Sequence, residues 1–169
     1  MIATYDPRMR AYQPGDAEAV LRINLECVPE VGEMDAAKLA LFEQIARFFA
    51  VVEHGGDVVG FLIGLDEFAH AYTSPNYRWF ADRHDAFAYV DRIALSERVR
   101  GNGFGPDLYR AFESWAVGGG KPVLTAEVNT IPDNPRSHRF HETFGFAEVE
   151  RRRPYGPDEE VAMYEKLLE

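Results

Sequence analysis

The sequence predicts an α+β (mixed α/β) domain: a central, largely antiparallel, twisted sheet of seven strands with about four flanking helices. Three observations carry the prediction. The hydrophobic patterns follow the order strand, two helices, three strands, helix, strand, helix, two strands. A turn signal, Glu53-His-Gly-Gly-Asp57, joins two apolar runs, which makes their strands an antiparallel hairpin. A strand, a helix and a strand then follow across residues 86–128, and a helical crossover joins parallel neighbours, so one strand pair is parallel.

The elements follow in order. Met9 to Tyr12 reads as a short first strand, and Pro14-Gly15-Asp16 as a turn with Asp16 placed to cap a helix. Val20, Ile23 and Cys27 recur at helical spacing, and Pro29 and Gly32 break that helix. A second helix spans about Asp35 to Ala46, with Leu39, Phe42 and Ile45 on its apolar side. Glu26, Glu30, Glu33 and Asp35 crowd the bend between the two helices, as a solvated acidic face. Phe48 to Val52 and Val58 to Leu65 are the hairpin strands.

Asp66 to Asp85 is an insertion rich in aromatics: Phe68, His70, Tyr72, Tyr77, Trp79 and Phe80. Ser74-Pro75-Asn76 makes part of it a loop. Two readings stand side by side. The segment is a lid or binding loop whose Trp79 and tyrosines stack on a cation or shape an apolar pocket, or its aromatics bury themselves in a satellite core.

Ala86 to Leu95 is the central strand. A helix begins near Pro106, with Leu108, Phe112, Trp115 and Ala116 on one face, and Gly118-Gly-Gly120 ends it. Pro122 to Val128 is the next strand, with Leu124, Ala126 and Val128 on one face. Pro132-Asp-Asn-Pro135 opens a short helix capped by Asp133 or Asn134; Ser137, Phe140, His141 and Phe144 share one side, and Gly145 stops it. Phe146 to Arg151 and Val161 to Leu167 form a closing antiparallel pair. No repeat, linker or low-complexity tract interrupts the pattern, and 169 residues suit a single domain, 1–169, with a sizeable core.

Composition narrows the function. Hydrophobic residues at 46% and charged residues at 27% place the chain among globular proteins. The net charge of −10 argues against nonspecific binding to nucleic acid or an anionic membrane, and makes a cationic small molecule or basic peptide a natural substrate. A single cysteine, Cys27, excludes an intramolecular disulfide framework and suits a reducing compartment. The chain opens on no long apolar h-region and holds no run of eighteen apolar residues, so the expectation is a soluble cytoplasmic protein. His54, His70, His84 and His138 show no metal-ligand spacing with Cys or Glu, and no metal is expected.

The chemistry centres on the turn after the central strand. Arg98-Val-Arg-Gly101-Asn-Gly103-Phe-Gly105 leads straight into a helix. Glycines leave backbone N–H groups uncovered, a helix N-terminus adds positive partial charge, and Arg98 and Arg100 add full charges, which together make an anion site. A Walker A loop is excluded, since no Gly-Lys-Ser/Thr ends the run. The spacing also misses a dinucleotide fingerprint, whose third glycine would come one residue later. The glycine triplet alone is equally a tight strand-to-helix turn.

Arg98-x-x-Gly101-x-Gly103 resembles the pyrophosphate loop of the GNAT acyltransferase superfamily, Gln/Arg-x-x-Gly-x-Gly/Ala. The block Asn134-Pro-Arg-Ser137-His-Arg-Phe140-His141-Glu-Thr-Phe144-Gly145-Phe146 resembles that superfamily's later motif, Asn-x-x-Ala/Ser-x-x-Phe/Leu-Tyr-x-x-x-Gly-Phe, with His141 where many members carry Tyr. The likeness spans roughly residues 8–168 and is strongest over 86–150.

The resemblance implies a GNAT-like fold, in which the strands either side of the crossover splay, and an acyl-coenzyme A donor, most simply acetyl-coenzyme A. Residues Arg98, Val99, Arg100, Gly101, Asn102, Gly103, Phe104 and Gly105 would hold its pyrophosphate. The backbone of Ile93 and Leu95 would pair with the pantetheine, an N–H near Ala94 or Leu95 would serve the oxyanion, and Asn134 and Ser137 would touch the donor from the other wall. The acceptor would be a primary amine attacking directly in a ternary complex. It implies too that the acidic bend lies over the acceptor pocket, where Glu26 and Glu30 become a lip attracting cations. On the lid reading of the aromatic insertion, Tyr72, Tyr77 and Trp79 are further candidate acceptor contacts, with Tyr89 on the central strand.

An amine arrives mostly as ammonium, so a base is needed. Asp91 is the first candidate, on the face of Tyr89, Ile93 and Leu95 by strand alternation, and Glu26 the second; Asp91 reads equally as an ion-pair partner of a neighbouring arginine. His141 is the candidate acid for the leaving thiolate, or else a packing residue with water as the acid. Members of the superfamily are often homodimers, an assembly the resemblance allows. Two further functions stand beside N-acyl transfer: a noncatalytic acyl-coenzyme A sensor that regulates a partner, and a nucleotide-binding domain, against which the Asn134–Phe146 block counts.

Overall fold

The computed structural model describes residues 8–169. Its elements run β1 (Met9–Ala11), α1 (Ala17–Glu26), α2 (Ala36–Ile45), β2 (Phe48–His54), β3 (Asp57–Asp66), α3 (Pro75–Arg83), β4 (Ala88–Leu95), α4 (Phe104–Gly118), β5 (Val123–Ile131), α5 (Pro135–Thr143), β6 (Ala147–Arg152) and β7 (Glu160–Leu167). The seven strands form one sheet in the order β1-β2-β3-β4-β5-β7-β6. β4 and β5 pair in parallel, Ala88 opposite Leu124 and Tyr89 opposite Thr125, as the crossover requires. The pairs β1–β2, β2–β3, β5–β7 and β6–β7 are antiparallel.

The chain divides into two compact units. One holds the described residues up to Leu65 together with Asp91–Trp115; the other holds Asp66–Val90 with Ala116–Glu169. In the first, Val20 and Ile23 of α1, Leu39 and Phe42 of α2, and Phe61, Leu62 and Ile63 of β3 are buried. Phe112 of α4 stacks on Trp115 at 5.4 Å and meets Phe48 edge-on at 5.3 Å. A Cβ at Gly64 would lie 2.3 Å from the Phe112 ring, so only glycine admits the ring there. In the second unit, Phe80, Phe87, Tyr89, Leu124, Ala126, Met163 and Tyr164 are buried. β6 ends the sheet order and carries Glu148, Glu150 and Arg151 exposed.

Three local expectations are corrected. Asp16 stands at the N-cap position of α1 as expected but makes no side-chain cap bond to it: its carboxylate accepts Arg10 Nη1 and Nη2 at 2.8 and 2.9 Å and the Gln13 N–H at 2.8 Å, closing the 3-10 turn Pro14–Asp16. Ser74-Pro75-Asn76 is no loop but the start of α3, with Ser74 as cap and Pro75 in the first turn, where a missing N–H costs nothing. β5 runs on to Ile131, past its expected end at Val128. Among the described residues no helix is long and apolar enough to cross a membrane, and no cluster of three or more His, Cys, Asp or Glu side chains is arranged to hold a metal ion.

Candidate active site

In the first unit, the turn after β4 is set by backbone bonds. Ser96 N–H donates to Val59 O at 2.7 Å, a 3-10 turn covers Glu97–Val99, and Asn102 Nδ2 donates to Val99 O at 3.1 Å. Gly101 and Gly103 take φ of 83° and 84°, the left-handed region that disfavours side chains. A Cβ at either would meet nothing within 4 Å, so the backbone here faces open space. α4 begins at Phe104, two residues ahead of Pro106, and its first-turn N–H groups lack intrahelical acceptors. Arg98, exposed and three residues before Gly101, makes a loose surface pair with Asp57 at 3.3 Å.

Arg100 behaves differently from its expected role as an anion ligand. Its Nε donates to Leu95 O at 3.4 Å and its Nη2 lies 3.3 Å from Cys27 Sγ. The Leu95 carbonyl also accepts the Cys27 thiol at 3.4 Å, so this carbonyl already has partners of its own. Glu26, the second candidate base, is tied into the same region: its Oε2 accepts Ser96 Oγ at 3.3 Å and the Glu97 N–H at 3.4 Å. Glu30 stays exposed in the bend.

Asp91 takes the ion-pair role. Its Oδ2 accepts Arg92 Nε at 2.8 Å, with both side chains buried. Arg92 Nη1 then donates to Asn24 Oδ1 at 2.9 Å and Gly32 O at 2.8 Å, and the guanidinium lies over the Phe42 ring at 5.2 Å. The pair is a clamp between β4, α1 and the bend after it.

In the second unit, the aromatic insertion is a satellite core, not a cation box. Tyr72, Tyr77 and Tyr89 are buried, with Tyr77 centred 5.6 Å from Tyr72 and 5.5 Å from Tyr89. The Tyr77 hydroxyl donates to Asp66 O at 2.6 Å, and burial pushes its phenol up to about 12. Trp79 has cations on its ring already, Arg83 at 5.4 Å and Arg152 at 5.7 Å. Burial of this much aromatic surface, with Arg83 and His84 both on Glu165 Oε1 at 2.7 and 2.6 Å, fixes α3 in place.

The Tyr89 hydroxyl leads to a residue that sequence reasoning missed. It donates at 2.7 Å to Oε1 of Glu127 on β5. Paired residues on parallel neighbours share a face, so the Tyr89–Thr125 register puts Thr125 and Glu127 on the face of Tyr89. The signal was present: Leu124, Ala126 and Val128 alternate with Thr125 and Glu127, and a carboxylate within a buried strand invites a chemical explanation.

Asn134 caps α5, its Oδ1 accepting the Ser137 N–H at 3.3 Å. His141 is 3% exposed. Its Nδ1 donates to Ser137 O at 2.7 Å and lies 3.4 Å from Ser137 Oγ; its ring packs on Phe140, Phe146 and Tyr164. Burial lowers its pKa to about 4, outweighing the Ser137 carbonyl. At pH 7 only about one ring in a thousand is then protonated. His141 is therefore a packing residue and a poor proton store, which argues against the acid role expected of it.

This burial has a pH signature. The unfolded ring takes up a proton near 6.5 and the folded ring only near 4, so stability is fully present above 6.5 and drains as pH falls towards 4. His141→Tyr should lose this component: the gap in melting temperature between variant and wild type is expected to widen in the variant's favour from pH 7.5 to 4.5. A constant gap would contradict the buried neutral ring.

Comparison with known proteins places these features in a family. The model of the acetyltransferase (GNAT) family matches residues 17–146, which includes both the glycine loop and α5. Among solved structures, Ard1 from Thermoplasma volcanium is 25% identical, with a TM-score of 0.76 over 95% of this chain and 96% of that one. Naa20 from Chaetomium thermophilum, in complex with a bisubstrate analogue, is 17% identical, with a TM-score of 0.74 over 95% and 86%. The ribosomal-protein-S18-alanine N-acetyltransferase from Escherichia coli is 16% identical, with a TM-score of 0.73 over 94% and 92%. At these last two identities the likeness is one of fold. No curated protein matches the chain. The fold, the glycine loop opening α4 and the family match over most of the sequence agree: the chain belongs to the GNAT family of acetyltransferases.

Proposed function

We propose that the protein, read as one GNAT-like domain over residues 1–169, moves an acetyl group from acetyl-coenzyme A to a primary amine, small-molecule or peptide. The observation that carries the reading is the loop at the N-terminus of α4, with Gly101 and Gly103 in left-handed backbone and open space where side chains would stand. Such a surface fits a diphosphate: it offers N–H donors, a positive helix end and the Arg98 guanidinium. Acetyl-coenzyme A supplies the activated acyl group as a thioester. The acidic bend at Glu30, Glu33 and Asp35 and the net charge of −10 favour a cationic acceptor. The single cysteine suits a reducing compartment, in keeping with a cytoplasmic enzyme.

The base assignment moves from Asp91 to Glu127. Asp91 serves the Arg92 clamp and Glu26 the turn after β4, whereas Glu127 holds its carboxylate on the Tyr89 face of β5, oriented by the phenol. Tyr89 is thus a positioning residue for Glu127 and not an acceptor contact. With His141 neutral, water protonates the departing thiolate, a tolerable leaving group with an ordinary thiol pKa near 8.5.

Calorimetric titration with acetyl-coenzyme A tests the donor, and thiol release on an amine panel tests the transfer. Saturable binding without thiol release would favour the sensor. No binding at millimolar donor would remove both. Arg98→Glu places a negative charge at the anion loop and should weaken acetyl-coenzyme A binding at least about tenfold. Unchanged affinity would sink the loop assignment.

A further inference from the structure

The loop's second arginine is the feature that anion binding leaves unexplained. Arg100 sits between Arg98 and Gly101, yet its guanidinium reaches back to Leu95 O and Cys27 Sγ. Cys27 is the C-cap of α1 and is 5% exposed, with its thiol on the same Leu95 carbonyl. Two more ties run from the last turn of α1 to the end of β4: Glu26 Oε2 to Ser96 Oγ and the Glu97 N–H, and Asn24 Oδ1 to Arg92 Nη1. Past the helix, Val31 N–H donates to Cys27 O at 3.0 Å, and Gly32 O accepts both Arg92 Nη1 at 2.8 Å and Asn24 Nδ2 at 3.0 Å. The bend from Cys27 to Gly32 is therefore held through α1 by β4 and by the loop after it.

We infer that Arg100 is a positioning residue: through Cys27 it couples occupancy of the anion loop to the order of the bend from Cys27 to Gly32. The inference rests on the donor site proposed above. Its physics is simple. An anion seated on residues 101–105 fixes the backbone that carries Arg100. A fixed guanidinium keeps two hydrogen bonds that a mobile loop would break intermittently, and one ends on the first residue of the bend. Conformational entropy lost in the loop then need not be lost again in the bend, which is positive coupling between the two sites.

Cys27, the chain's single cysteine, is a built-in reporter. Its alkylation by iodoacetamide requires the clamp to open, and acetyl-coenzyme A has no free thiol to consume the reagent. In the wild type, saturating acetyl-coenzyme A should slow Cys27 alkylation about tenfold or more, within the usual range of coupling between sites. In Arg100→Gln the slowing should fall below about twofold, while affinity measured by calorimetry changes less than about threefold, because the side chain holds Cys27 and not the anion. Arg100→Lys, which keeps the charge but not the two-pronged reach, should lie between. Three results would overturn the proposal: undiminished protection in Arg100→Gln, no protection in a wild type that binds acetyl-coenzyme A, or loss of affinity in Arg100→Gln as large as in Arg98→Glu. A wild type that fails to bind acetyl-coenzyme A would instead remove the donor reading itself.

Discussion

Glu127→Gln is expected to lower turnover by roughly 10²- to 10⁴-fold while leaving acetyl-coenzyme A affinity unchanged. The amide keeps the size of the carboxylate and still accepts the Tyr89 hydroxyl through its oxygen, so the sheet around it should stay as it is. What it loses is the ability to take a proton from an ammonium. Tyr89→Phe should cost less, because it removes the orienting phenol and leaves the base. The comparison that decides the assignment is Asp91→Asn. If Asp91 were the base, its amide would suffer the larger loss in turnover and Glu127→Gln would be nearly silent. The rate should be measured across pH 6 to 9, because a variant lacking the base loses the acid-side limb of the profile as well as its height.

Arg92→Ala is expected to destabilise the fold by about 3–5 kcal/mol, the usual cost of breaking a buried ion pair by removing one partner. The guanidinium is 4% exposed, neutralises Asp91 and closes hydrogen bonds to Asn24 and Gly32. Urea unfolding gives the value directly. Pairing Arg92→Met with Asp91→Asn should recover part of the loss, because no charge is then left buried without its partner. A loss under about 1 kcal/mol for Arg92→Ala would mean that water reaches Asp91 readily, and would reopen its candidacy as a base.

The sheet, the crossover and the glycine loop ahead of α4 were legible because each depends on local pattern: alternation, a helical face, and glycines where the backbone must turn or lie bare. α3 was not legible. Its two breaker-like residues, Ser74 and Pro75, are also what begins a helix, and only the burial of Tyr77 and Phe80 decides between the two. Side-chain roles were less legible, because partners are chosen across the fold and not along the chain. Asp91 and Glu26 sit where a base was expected, but their partners, Arg92 in one case and Ser96 and Glu97 in the other, are chosen by tertiary packing. His141 fell in a motif slot, and nothing in the motif records that Phe146 and Tyr164 would desolvate it. Glu127 lies on the other face of β5 from Leu124, Ala126 and Val128, and only the register with Tyr89 on the neighbouring strand singles it out.

The charges along β6 bear on how copies of the chain meet. A terminal strand offers unpaired backbone to any other strand, including that of a neighbouring copy. Here Glu148, Glu150 and Arg151 stand exposed along it, and Glu148 holds Arg151 at 2.6 Å. Extending the sheet across this border would strip water from those groups, with no new opposite charges guaranteed in return. Charges along this border thus disfavour edge-to-edge extension of the sheet by another strand.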